Sequence, residues 1–124
     1  MIKIMAAVAF GGAVGSVLRF LASYFVAANW PRHFFMATLS VNLIGCFLIG
    51  LFSGLFLTRT DIPLELRTGI TVGLLGGLTT FSSFSLETLR LIEGGQTAMA
   101  MGYFIASLAG GLFAAWAGLG LARM

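Results

Sequence analysis

Gly76-Gly77-Leu78-Thr79-Thr80-Phe81-Ser82-Ser83-Phe84-Ser85 is the stretch that decides how this chain folds. It sets two adjacent glycines and five hydroxyl side chains inside an apolar run from about Leu64 to Ile92, long enough to cross a bilayer as a helix. The hydrocarbon core offers no water to free backbone groups. Polar or irregular sequence at that depth must therefore face protein or an aqueous path. The Gly76-Gly77 pair is where such a helix breaks most easily, and a broken helix frees carbonyls and amides that can hold an ion. The stretch predicts a third helix broken mid-membrane, with something polar held or passed beside it.

Composition fixes the solvent. Of 124 residues, 59% are hydrophobic and 9% charged, with a mean hydropathy of +1.03, whereas a soluble domain carries about a quarter charged residues. Three further apolar runs extend from about Ile4 to Val26, Phe34 to Leu57 and Thr97 to Ala122. They are separated by Asn29-Trp30-Pro31-Arg32-His33, by Thr58 to Pro63, and by Glu93-Gly94-Gly95-Gln96. The chain thus reads as an all-α membrane protein of one domain, with four transmembrane helices near 4–26, 34–57, 64–92 and 97–122. The first run is too long for the apolar part of a signal peptide and contains Arg19.

The net charge of +3 comes from basic residues near helix ends. There they snorkel or meet anionic headgroups, which is a membrane signature and not a nucleic-acid footprint. Four spans place both termini on one side, with Lys3, Arg59, Arg67 and Arg123; Arg32, Arg90 and Arg19 lie toward the other. So small an asymmetry fits a chain inserted in both orientations. Four helices make a thin bundle, and its halves show no internal repeat. An antiparallel homodimer would supply inverted symmetry and give the polar groups protein to face. Seventeen glycines, among them Gly11, Gly15, Gly45, Gly50, Gly54, Gly110 and Gly118, favour close helix packing. The lone Cys46 excludes an intramolecular disulfide.

Several polar residues within the spans admit two readings. Arg19 either snorkels or attracts anions at an aqueous mouth. Asn42 is either interhelical glue or an amide donor to a desolvated anion. Thr79, Thr80, Ser82, Ser83 and Ser85 cover more than one helix face, beyond what back-bonding to the helix requires. Phe81 and Phe84, three apart, project from nearly the same face, and their positive ring edges can offset a small anion's lost hydration. Glu87 is the acid within a span, though near its end. Tyr103 and Ser107, four apart, share a face and suit either a polar track or an interhelical bond. His33 stands alone at a turn. The sequence holds no transition-metal cluster, nucleophile–base pair or phosphate loop, so it supports no enzymatic chemistry.

Three motifs occur in order: Gly11-Gly12-x-x-Gly15-x-x-x-Arg19-Phe20, Thr38-Leu39-x-Val41-Asn42-x-x-Gly45-Cys46, and Gly73-x-x-Gly76-Gly77-Leu78-Thr79-Thr80-Phe81-Ser82-Ser83-Phe84-Ser85. The chain resembles the CrcB/Fluc family of bacterial fluoride channels over its whole length. The resemblance implies passive export of fluoride through an antiparallel, dual-topology homodimer with two pores in the bacterial cytoplasmic membrane. By the same resemblance Asn42, Phe81 and Phe84 line the pore, with Thr80, Ser82, Ser85, Tyr103 and Ser107 along its polar side and Arg19 at the vestibule. It also implies a structural sodium ion at the dimer centre, on the backbone carbonyls of Gly76 and Thr79. Where the family commonly has serine-threonine-phenylalanine, this chain has Ser82-Ser83-Phe84 and keeps the hydroxyl. Two alternatives are a proton-coupled small-ion exporter, in which Glu87 would carry the proton, and a small multidrug exporter. Multidrug exporters of that kind need a carboxylate deep in the first span, which here has Arg19 and no acid. A third is a non-transporting subunit whose polar residues serve as glue.

Overall fold

The computed structural model describes residues 1–124, and every long element in it is helical. Helix α1 spans Ile2–Asn29 and α2 spans Phe35–Thr58. Trp30 and a short 3-10 turn at Pro31–His33 join them, because proline ends the helical pattern and pre-sets the turn. The third span, Leu64–Glu93, is two helices: α3 (residues 64–78) and α4 (Phe81–Glu93). Helix α5 spans Thr97–Ala122, entered through Gly94 and Gly95. Gly95 takes φ +79, which a side chain would strain. All four spans are long and apolar enough to cross a membrane.

The helices pack as two pairs, α1 with α3 and α2 with α5, and small residues let both pairs run backbone against backbone. A Cβ on Gly15 would overlap the Leu74 carbonyl and lie 2.7 Å from the Leu78 amide. In the other pair, a Cβ on Gly118 would overlap the Phe47 carbonyl. Within α3, residues Gly69–Leu75 form a π-helix between the α-helical stretches Leu64–Thr68 and Gly76–Leu78. Gly69 and Gly73 both face α1 there, against Ala7 and Val8. The i→i+5 bonds of this segment are the wider turn that marks a π-bulge inside an α-helix.

Little of the surface is buried within one chain. Phe35, Phe84, Leu91, Ala100 and Tyr103 make the one cluster of buried apolar residues, where α2, α4 and α5 meet. Elsewhere large apolar side chains such as Phe10, Phe20, Leu112 and Trp116 lie exposed on the spans, as lipid-facing positions require. Beyond the spans, Arg59 donates to Asp61 at 3.4 Å; that hydrogen bond holds the Asp61 carboxyl below its usual range.

Candidate functional site: a pinned helix break

The third span breaks at Thr79 and Thr80, whose backbones are extended at φ −89, ψ 156 and φ −152, ψ 123. This is two residues beyond the Gly76-Gly77 pair that the sequence singles out. Gly76–Leu78 stays helical, and Gly77 packs against α1, where a Cβ on it would lie 2.7 Å from the Gly12 carbonyl. The glycine serves close approach, and the break is made by side chains that divert the hydrogen bonds of a continuous helix.

Three such bonds are diverted. In an unbroken helix the Thr80 amide would bond the Gly76 carbonyl. Here it donates instead to Asn42 Oδ1 at 2.8 Å, and Asn42 Nδ2 returns a bond to the Thr80 carbonyl at 3.0 Å. The Ser83 amide would bond the Thr79 carbonyl, but donates to Thr80 Oγ1 at 3.2 Å, which makes Thr80 the N-cap of α4. The Gly77 carbonyl would accept from the Phe81 amide, and accepts instead from Arg19 Nε at 3.0 Å. Thr79 keeps one turn of helical bonding, with both its amide and its hydroxyl on the Leu75 carbonyl. Its own carbonyl has no hydrogen-bond partner in the chain.

The break opens into a groove of about 410 Å³ lined by Asn42, Thr71, Gly76, Thr79, Thr80, Phe81, Phe84 and Ser107, among others. Ser107 Oγ is buried there and has no hydrogen-bond partner. An unmet hydroxyl costs about 1–3 kcal/mol unless an occupant satisfies it. Phe84 is buried, in edge contact with Tyr103 (centroids 5.2 Å, planes at 68°), whereas Phe81 is 73% exposed and 5.6 Å from Phe84. The two rings diverge because three residues rotate a side chain by about 60°, enough here to split one face into a buried and an open part.

The groove thus gathers Asn42, Thr80, Phe81, Phe84 and Ser107, with Gly76 and Thr79, from the residues the sequence singles out. Ser82, Ser85, Tyr103 and Arg19 stand off its lining. The exposed Ser82 hydroxyl lies 3.2 Å from that of Thr80, and Ser85 donates back to the Phe81 carbonyl. Tyr103 donates to Glu87 Oε1 at 2.9 Å, joining α4 to α5 near the buried Thr38. Arg19 lies at the break, on the Gly77 carbonyl. Sequence reasoning missed Thr71, whose hydroxyl bonds the Arg67 carbonyl inside the π turn, and nothing in Ile70-Thr71-Val72 signals that turn. It also missed the Glu87–Tyr103 bond, whose partners sit on different helices.

A multi-pass membrane protein with one span broken at mid-depth, its break opening on a polar groove, has the architecture of a protein that moves ions or small solutes. The chain belongs to the CrcB family: the family model described as "CrcB-like protein, Camphor Resistance (CrcB)" matches residues 6–119. It is 56% identical over 124 residues to a Pseudomonas fluorescens protein named fluoride-specific ion channel FluC, covering all of both chains. Proteins of the same name from Pseudomonas putida and Azotobacter vinelandii are 59% and 56% identical, over 99% and 100% of each chain respectively.

Proposed function

We propose that this chain is a fluoride-selective channel that lets cytoplasmic fluoride leave passively and so lowers its toxicity. The observation that carries the reading is the break at Thr79–Thr80, held open at mid-membrane by Asn42 beside two phenylalanines. Fluoride enters cells from acidic surroundings as neutral hydrogen fluoride and dissociates inside. An inside-negative potential then drives the anion outward by ~2.3 kcal/mol per charge per 100 mV. The groove offers the donors a small, strongly hydrated anion needs. Asn42 Nδ2 uses one hydrogen on Thr80 and keeps a second, and the Ser107 hydroxyl is unpaired. The ring edges of Phe81 and Phe84 add positive potential without a fixed charge. The hydroxyls of Thr80, Ser82 and Ser85 extend the polar side at the start of α4. Tyr103 joins them where its bond to Glu87 turns over.

The working unit in this reading is an antiparallel, dual-topology homodimer. A single chain leaves an unpaired Thr79 carbonyl at mid-span, which lipid would not satisfy. The residues also suit a sodium ion. The Thr79 carbonyl is unpartnered, the Gly76 carbonyl has lost its usual amide, and both lie at the C-terminal, negative end of α3. Bound there, the cation would supply fixed positive charge between the two chains. Neither a proton gradient nor a coupling acid is part of this mechanism.

A growth assay tests the reading. In a strain lacking its own fluoride exporter, this chain should restore growth on fluoride medium. Phe84→Ile and Phe81→Ile should each remove most of that protection while the protein still reaches the membrane. Unchanged tolerance in both variants would mean that the polar groove is structural glue.

A further inference from the structure

Arg19 rises from α1 one turn after Gly15, where α1 and α3 run backbone to backbone. It is half-buried and has no carboxylate partner, the chain's one ion pair being Arg59–Asp61. Its Nε donates to the Gly77 carbonyl, at the end of α3 where the helix dipole is negative. Of the guanidinium only Nε is engaged, with a backbone oxygen, and that oxygen is the acceptor the Phe81 amide would use to close the break.

We infer that Arg19 is a positioning residue that keeps the third span from healing into a continuous helix. Asn42 occupies the Thr80 amide and carbonyl on the α4 side, and Arg19 occupies the Gly77 carbonyl on the α3 side. The two halves are therefore held by different helices, α2 and α1. Phe81 is the first residue of α4, so its amide lies among the orphan donors of a helix start. Without Arg19 that amide regains its i→i−4 acceptor, the span straightens by one bond, and Thr80 and Phe81 turn away from the groove. The inference rests on the proposed fluoride pathway for its effect on flux, but the closing of the break can be measured without any flux.

The test uses full-length protein in liposomes and detergent. Arg19→Met, which has no donor, should lower fluoride flux at saturating fluoride by about tenfold, the scale of one hydrogen bond to a charged group. The loss should persist at high ionic strength. Arg19→Gln, whose amide N–H stands where Nε stands, should keep most of the flux although it lacks the charge. In Arg19→Met, replacing Phe81 by phenyllactic acid, which exchanges the backbone N–H for an ester oxygen, should restore most of the flux because the healing bond can no longer form. Hydrogen exchange of the Phe81 amide should slow in Arg19→Met. An anion-attracting role would give a different pattern: equal deficits in Arg19→Met and Arg19→Gln, confined to low fluoride and low salt, and no rescue. Unchanged exchange at Phe81 would overturn the inference on its own. Absence of flux in the native chain would overturn the fluoride pathway, leaving the amide exchange to decide the role of Arg19.

Discussion

Asn42→Ala is expected to lower fluoride flux by on the order of a hundredfold, the combined worth of two part-buried hydrogen bonds. The side chain holds both backbone groups of Thr80, at 2.8 and 3.0 Å, and nothing else in the chain bonds either one. Removing it frees the Thr80 amide to return to the Gly76 carbonyl and leaves the Thr80 carbonyl unmet. It also removes a spare N–H from the groove. Asn42→Asp should be as severe, because a carboxylate accepts only and would face the Thr80 carbonyl oxygen. The four spans do not depend on this contact, so circular dichroism and gel filtration should match the native protein. Fluoride-electrode measurements on reconstituted vesicles give the flux. Near-native efflux from Asn42→Ala would show that the break stands without its pin.

The other large effect concerns assembly of the span pairs. Gly15→Ala adds a single carbon, yet that carbon overlaps the Leu74 carbonyl and approaches the Leu78 amide to 2.7 Å. Both obstacles are backbone, so neither can swing aside, and α1 must part from α3. Overpacking of this kind costs ~1–3 kcal/mol where side chains can adjust, and more where the backbone must move. Arg19, one turn further along α1, would lose its reach to Gly77 in the same displacement. Gly12→Ala is the internal control, since the nearest atom to its added carbon is 3.8 Å away, an ordinary contact. Gly15→Ala should fail to yield monodisperse protein, while Gly12→Ala should purify as the native chain does. Equal yields would mean that α1 and α3 do not run backbone to backbone at Gly15.

The four spans were legible because each apolar run is long and each interruption holds proline, glycine or charge. The break was legible as a segment but not to the residue. Glycine suggested Gly76 and Gly77, and the structure uses Gly77 for contact with α1 instead. What opens the chain at Thr79 and Thr80 is partnership with Asn42, 38 positions away, and with Arg19 on Gly77, 58 positions away. Such long-range bonds leave no local trace. The residue types did carry a hint, since an arginine and an asparagine inside apolar spans each demand a partner. The π-helix had no signal in Gly69–Leu75, and there Gly69 and Gly73 lie against another helix. Tyr103 and Ser107, four apart in sequence, differ in their bonding: Tyr103 is tied to Glu87, whereas Ser107 is the unpaired hydroxyl in the groove.

The central claim is that this break passes fluoride, selectively and without coupling. Its most direct test is efflux from liposomes containing the purified native protein, with fluoride and chloride measured in parallel and the proton gradient set or abolished. Rapid fluoride efflux driven by the membrane potential alone is expected, with no matching chloride efflux. Neither removing the proton gradient nor Glu87→Gln should change it. Chloride efflux of equal size, or fluoride efflux that requires a proton gradient and is lost in Glu87→Gln, would contradict the claim.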